Sequence, residues 1–411
     1  MAHSVDTLVI GGGAMGSAAT WHLARRGRQP VLLERFAPGH ANGASHGASR
    51  NFNVSYPDPV HLGLVREALD LWRELEAETG DAILDQVGLV NHGHHPAYDA
   101  VADALATAGF AHEFLDPADA TARWPGIRFT TRALYTPEAG RLHAARAVAA
   151  LQRAAVTHGA TIHHGARVIA IEPRGDGARV TVHRSEPSSP AAADRPTAAV
   201  DPDATIETYD ARHVVVTSGA WTSKLLGHLV ELPTLVVTQE QPAHFAVTDD
   251  SIVWPGFNHS PDPADPADAY WYSGVYGMVT PGEGVKAGWH GVGPVVDPDA
   301  RDFLPDPVQF EALRRYAREW LPGTDPDRAT AISCTYTTTP DSMFVIDHAG
   351  PLVVGAGFSG HGFKFTPAVG RLLADLVDGT TAAPPPLFSR TRPRTADAHP
   401  AAPRPKEPGA A

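Results

Sequence analysis

One cysteine and four lysines stand out among the residues able to do chemistry. Cys334 is the only thiol in 411 residues and lies in AISCTYTTTPD, residues 331–341. It can form neither an intramolecular disulfide nor a multi-cysteine metal site, and on its own it reads as a small buried hydrophobe. Of 33 basic residues only four are lysines: Lys224, Lys286, Lys364 and Lys406. The chain uses arginine by default, so a lysine inside a motif-like segment points to a specific task. The 22 histidines are scattered, and NHGHHP at 91–96 lacks the nearby carboxylates that a metal-dependent hydrolase would want.

A second set of residues is glycine-rich. Gly11, Gly13 and Gly16 form G-x-G-x-x-G between an apolar run, DTLVI at 6–10, and a helical stretch that ends at Gly27. PVLLER then reads as a second buried strand ending in Glu34. This is the size and order of a βαβ unit that binds a dinucleotide. Gly11 permits the tight turn, Gly13 lets the backbone approach a pyrophosphate, and Gly16 lets the helix pack on the sheet. The helix N-terminus favours the phosphate charge. Glu34 is placed to accept hydrogen bonds from a ribose diol and would repel a 2′-phosphate. These residues do not decide between NAD and FAD.

The elements that must carry these groups fall into two kinds. The chain is long enough for two domains. Residues 58–80 predict an amphipathic helix, with Leu62, Val65, Leu69, Trp72 and Leu75 on one face and Gly80 as its stop. Residues 144–158 and TPAVGRLLADLVDG at 366–379 also read as helices, while 84–141 and 237–300 are rich in strands. The expected organisation is α/β, with 1–85, 142–236 and 330–382 in a Rossmann-like domain and 86–141 and 237–329 in a mixed β-sheet substrate domain. Both domains are then discontinuous. Residues 184–207 read as a flexible insertion and 383–411 as a disordered tail.

Four segments occur in order after the fingerprint: NGASHGASR (42–50), EGVKAGWHG (283–291), SCTYTTTPD (333–341) and GAGFSGHGFKF (355–365). Together they resemble the monomeric sarcosine oxidase family of flavoprotein amine oxidases, a group that includes N-methyltryptophan, pipecolate and fructosyl-amino-acid oxidases. The resemblance runs over roughly residues 5–380 and favours FAD over NAD. It implies an FAD-binding domain with a β-sheet substrate domain, and oxidation of a secondary amine to an imine with dioxygen reduced to hydrogen peroxide. It further implies flavin held through its 8α-carbon by a cysteine sulfur, the matching residue here being Cys334.

The same resemblance assigns the remaining candidates. Lys286 matches a lysine near the flavin face where dioxygen reacts, and His290, four residues on, would share its strand face. A purely structural histidine is the competing reading of His290. His46 and Arg50 lie in the loop that meets the flavin, with ordinary loop polarity as the alternative. In GFSGHGFKF, Gly360 and Gly362 permit close approach to a planar ligand. There His361 and Lys364 face the substrate, with Lys364 on its carboxylate. Tyr276 resembles a cavity-lining tyrosine, with Tyr272 as competitor, and Val168 matches a strand whose backbone meets the adenine, or is plain core. Asn53 departs from the family pattern, which has an arginine there to help hold the carboxylate; the identity of the amine is therefore open.

A formal charge of −13 argues against non-specific nucleic-acid binding and against an anionic membrane surface. No apolar run is long enough to span a bilayer. The N-terminus enters a strand at once without a signal-like basic region. The expected partners are a small amine and dioxygen, with no nucleic acid and no membrane, and the expected state is a cytoplasmic monomer. Two rival functions share the fold: a dehydrogenase that passes electrons to another acceptor, and a non-catalytic flavin-binding redox sensor.

Overall fold

The computed structural model describes residues 2–185, 205–380 and 385–393. Its first sheet has the order Ala166–Arg174, Gly177–Arg184, Thr205–Val216, Ala2–Ile10, Val31–Leu33, Thr161–His163, with Leu352–Ala356 and Val345–Ala349 joined through Thr205–Val216. The strands around Ala2–Ile10 are parallel, as a βαβ unit requires, and the 166–184 hairpin and 345–356 pair are antiparallel. The parallel strands are apolar because both faces are covered. One face carries the helices Ala14–Arg25, Pro59–Thr79, Ala144–Thr157 and Thr366–Asp378. The other carries Leu226 and Val230 against Val168, Val180 and Val214.

The second large sheet runs Thr324–Ala331, Ala243–Val247, Gly284–Trp289, Val275–Thr280, Gly256–Ser260, Leu89–Gly93, Ala133–Thr136, Glu113–Leu115. It is antiparallel except where Gly256–Ser260 meets Leu89–Gly93, so it is mixed. Helix Pro307–Trp320 packs on it through Leu313, Tyr316 and Ala317, closing a core with Phe245, Phe257 and Trp289. Two small sheets matter for the site. Arg50–Phe52 pairs with Gly140–Leu142, and Val236–Glu240 pairs with Cys334–Thr338.

The expected helix at 58–80 is Pro59–Thr79. Asp58 caps it by accepting from His61 N at 2.9 Å, and Gly80 ends it in the left-handed region at φ 74°. The five apolar residues expected on one face are all buried. Two expected segments differ from the structure. Arg184 and Thr205–Glu207 lie in strands, Ser185 donates its backbone N–H to Gly165 O at 2.9 Å, and the remainder of the expected insertion, 186–204, lies outside the described residues. The expected tail is partly structured. Pro386–Phe388 forms a 3-10 turn, and buried Phe388 stacks on Phe344 at 5.4 Å. Arg392 forks onto Asp341, with Nη2 to Oδ1 at 2.7 Å. A Pro/Ala/Arg composition hides one aromatic anchor and one bidentate ion pair, and these suffice to dock the segment. Phe388→Ala should therefore cost about 3 kcal/mol of stability, the low end for emptying a buried aromatic site, read as a lower urea midpoint with an unchanged slope.

Candidate active site

A cavity of about 520 Å³ opens beside the first large sheet, bordered by the turn at Gly11–Gly13, by Glu34 and by the strand residues Cys334–Thr337, within the range of about 300–1,000 Å³ usual for small-molecule and cofactor sites. Its wall includes Gly11, Gly13, Glu34, His46, Arg50, Val168, Cys334, Gly360 and Gly362. Gly11 has φ 100°, a conformation natural to glycine. A Cβ on Gly16 would lie 1.9 Å from Gly11 O, so Gly16 sits beneath the turn and lets the helix close onto the strand. Helix Ala14–Arg25 begins here without a side-chain cap on its first turn, although Ser45 Oγ accepts from Ala14 N at 3.0 Å. Glu34 is buried and already accepts from Gly12 N at 2.7 Å and Phe36 N at 2.9 Å. These bonds fix its carboxylate at the wall, with lone pairs to spare for a diol.

Arg50 and Cys334 meet at one end of the cavity. Arg50 Nη2 stands 3.7 Å from Cys334 Sγ, and the guanidinium is also held by Ser49 O at 2.8 Å and Ala44 O at 2.9 Å. Beside them, Lys286 Nζ is buried and donates to Ser49 O at 3.4 Å. Burial, then repulsion from Arg50, pulls its pKa down to about 7. His46 Nε2 is buried without a hydrogen-bond partner, and burial pulls that imidazole down to about 3, so it stays neutral.

A second group lies next to the first. Lys364 Nζ donates to Tyr56 OH at 2.8 Å and to His361 O at 2.7 Å; burial alone brings its pKa to about 7. His361 spans Tyr56 OH at 3.3 Å and Ser342 O at 3.0 Å. A third group brings together Tyr336, His290 and Tyr276: His290 Nδ1 is 3.4 Å from Tyr336 OH, and its ring is tilted against Tyr336 and edge-on to Tyr276. Asn53 is not drawn to Lys364. Its Oδ1 accepts from Ser55 N at 2.9 Å, a local turn.

Sequence reasoning missed four participants. Tyr56 is the hinge between Lys364 and His361. Arg301 is buried, reaching Asn42 O at 2.9 Å and Ser333 Oγ at 2.8 Å. Asp299 clasps Arg35 at 2.7 Å, Trp221 Nε1 at 2.9 Å and Lys224 at 2.6 Å. Glu240 is a buried carboxylate paired in register with Cys334. Only Tyr56 had a local signal, three residues after Asn53; the others are brought in by pairing and packing. Among the described residues no cluster of His, Cys, Asp or Glu could hold a metal ion, and no helix is long and apolar enough to cross a membrane.

Residues 6–376 match the family described as FAD dependent oxidoreductase, and the chain belongs to that family. Within it the chain sits among sarcosine-oxidase relatives. It is 33% identical to monomeric sarcosine oxidase of Streptomyces avermitilis, over 95% of this chain and 98% of that protein. It is 32% identical to peroxisomal sarcosine oxidase of Mus musculus, over 90% of this chain and 91% of that one. N-methyl-L-tryptophan oxidase of Yersinia pestis is 28% identical over 90% of this chain and 94% of its own. Among solved structures, NikD, described as an unusual amino acid oxidase essential for nikkomycin biosynthesis, superposes with a TM-score of 0.79 at 27% identity, over 97% of this chain and 100% of that one. The cofactor is FAD. The cavity fits it: glycines stand where a Cβ would collide, helix amides face in, and a neutral imidazole lines the wall with an unmet nitrogen.

Lys286 and Lys364 bind a proton more weakly folded than unfolded, where the ordinary value is about 10.4. Between about pH 7 and 10 the unfolded chain holds more protons, so stability should rise with pH in that window. Urea unfolding of flavin-free protein from pH 7 to 9 should show this rise, and Lys286→Met should flatten it.

Proposed function

We propose that the protein is an FAD-dependent oxidase of secondary amines, N-methyl or cyclic amino acids, that yields an imine and hydrogen peroxide. The observation that carries this reading is the pair of buried ammonium groups, Lys286 and Lys364. Each is held by neutral oxygens; Lys286 shares the Ser49 carbonyl with Arg50, which lines the cavity, and Lys364 directly follows Phe363, which also lines it. When bound, FAD supplies the acceptor for the α-hydrogen and its electrons and hands the electrons to dioxygen.

The residues then divide the work. Gly11, Gly13, Gly16, Glu34 and Val168 hold the dinucleotide half, and His46, Arg50, Gly360 and Gly362 approach the ring. Cys334 tethers it through sulfur, with the Arg50 guanidinium 3.7 Å from Sγ. Lys364 holds the substrate carboxylate: two of its protons are spent on Tyr56 and His361, and the third is left for the acid. His361, Tyr276 and His290 border the amine. A lowered lysine pKa lets Lys286 both carry charge and give up a proton near neutrality, which suits a site where dioxygen becomes anionic. The amine binds unprotonated, so no strong side-chain base is needed. Asn53 supplies a neutral group where the resemblance to the sarcosine oxidase family leads one to expect an arginine, which points away from sarcosine as the best substrate. The reading includes a cytoplasmic monomer, supported by the word monomeric in the names of bacterial relatives and by a chain with one thiol.

Acid precipitation tests the tether: yellow flavin should stay with the protein and should move to the supernatant in Cys334→Ser. A peroxide-coupled screen of N-methyl amino acids, pipecolate and Amadori compounds tests the activity; peroxide from none of them overturns it. Lys364→Met should lower kcat/KM for carboxylated amines about 10- to 150-fold, the loss of one charged hydrogen bond of about 1.5–3 kcal/mol, and should affect amines without a carboxylate far less.

A further inference from the structure

A buried carboxylate stands beside the lone thiol, and the roles given above leave it without a task. Strands Val236–Glu240 and Cys334–Thr338 are antiparallel, with Thr238 opposite Tyr336 and Glu240 opposite Cys334. Directly opposed residues of such a pair project to the same face, with Cβ atoms about 4.5–5.5 Å apart. Glu240 is 1% exposed and Cys334 8%. Among the described residues Glu240 makes no ion pair. Its oxygens accept from Thr238 Oγ1 at 2.6 Å and, weakly, from Val292 N and Gly293 N at 3.3 Å. A carboxylate buried without a cation is costly, and the long bonds to 292 and 293 hold it loosely.

The surroundings favour a proton moving between these two side chains. Burial pushes the Glu240 carboxyl up to about 7, and negative charge on Cys334 adds to the push. A carboxyl there is far closer to a thiol's ordinary value of about 8.5 than an exposed glutamate would be. On the thiol's other side Arg50 Nη2 stands 3.7 Å from Sγ, ready to stabilise sulfur once the proton has left. The cavity that Cys334 faces, and the unpartnered His46 Nε2 in its wall, show independently that a ligand belongs there.

We propose that Glu240 accepts the Cys334 proton when the flavin is attached. This rests on the reading of Cys334 as the tether. Attachment breaks the S–H bond and one C–H bond of the flavin 8α-methyl and forms the C–S bond. The two electrons released pass to dioxygen, which with two protons leaves as hydrogen peroxide; Glu240 holds one of those protons in between. Once the thioether has formed, the carboxylate has no thiol to serve, so Glu240 matters for maturation and little for turnover.

The test follows attachment directly. Flavin-depleted wild type, Cys334→Ser, Glu240→Gln and Glu240→Asp are given FAD in air. Covalent flavin is read over time as fluorescence on a denaturing gel and as the gain of one FAD in intact mass. Glu240→Gln should bind FAD with the wild-type absorption spectrum yet attach it at least tenfold more slowly, and Glu240→Asp should attach faster than Glu240→Gln. Attachment by Glu240→Gln at the wild-type rate overturns the proposal and leaves the tether standing. Wild type that binds FAD and never attaches it overturns the tether and the proposal together. If Glu240→Gln binds no FAD, Glu240→Asp decides: slowed attachment is expected, and attachment at the wild-type rate overturns the role of Glu240.

Discussion

Among the described residues the buried ammonium groups of Lys286 and Lys364 make no ion pair, and the packing around them makes that tolerable. An ammonium taken from water costs several kcal/mol unless donors and acceptors replace the water. Lys286 is given one backbone carbonyl, and Lys364 a phenol and a carbonyl. Each acceptor is itself held. Ser49, whose carbonyl receives Lys286, also ties its hydroxyl to Thr280 at 2.6 Å, which joins the loop to the second large sheet. The backbone of Lys364 is pinned by Trp72 Nε1 at 2.9 Å, from the helix that Asp58 caps. Tyr56 is sandwiched by His61, stacked at 5.0 Å, whose Nδ1 meets Asp58.

The cavity depends on a second constraint, close approach. The crossing of helix Ala14–Arg25 over its strand admits no side chain at Gly16, and the turn at Gly360 leaves no room beside Tyr336, whose ring would lie 2.2 Å from a Cβ at that position. Opposite these rigid walls the segment after Trp289 reaches across from the second sheet. Asp299 gathers Arg35, Trp221 and Lys224, and Arg301 gathers Asn42, Gln239 and Ser333. The two sheets are therefore joined around the cavity by ion pairs and charge-assisted hydrogen bonds, interactions whose partners lie far apart in the chain.

That distance in sequence separates what could be read from what could not. The fingerprint at 11–16, the helix ending at Gly80 and the two lysines are local patterns: a glycine spacing, a 3.6-residue period, a rare residue type in a motif. Each was visible because its physical cause acts within a few neighbours. Glu240 and Arg301 were invisible for the opposite reason. A glutamate in VVTQEQP looks like surface polarity until the register of two strands almost a hundred residues apart sets it beside Cys334. Phe388 was hidden in the same way, because Pro/Ala/Arg composition is read as an average and one buried ring decides where the segment lies.

Asn53 shows how such local and distant effects combine to shape recognition. Its Oδ1 is spent on Ser55 N, so on the proposed reading the substrate acid is met by one cation, Lys364. A single charged hydrogen bond is worth about 1.5–3 kcal/mol, enough to orient an acid and too little to select one acid from another. Selectivity must then come from the shape of the remaining wall. On that reading Tyr276 and His290, half-buried, and Tyr336, buried, supply an aromatic surface there whose rings meet tilted and edge-on. Such a surface rewards an amine with apolar bulk near the nitrogen, since each buried methylene adds about 0.8 kcal/mol. On the proposed reading, a neutral Asn53 thus leaves discrimination to shape rather than charge.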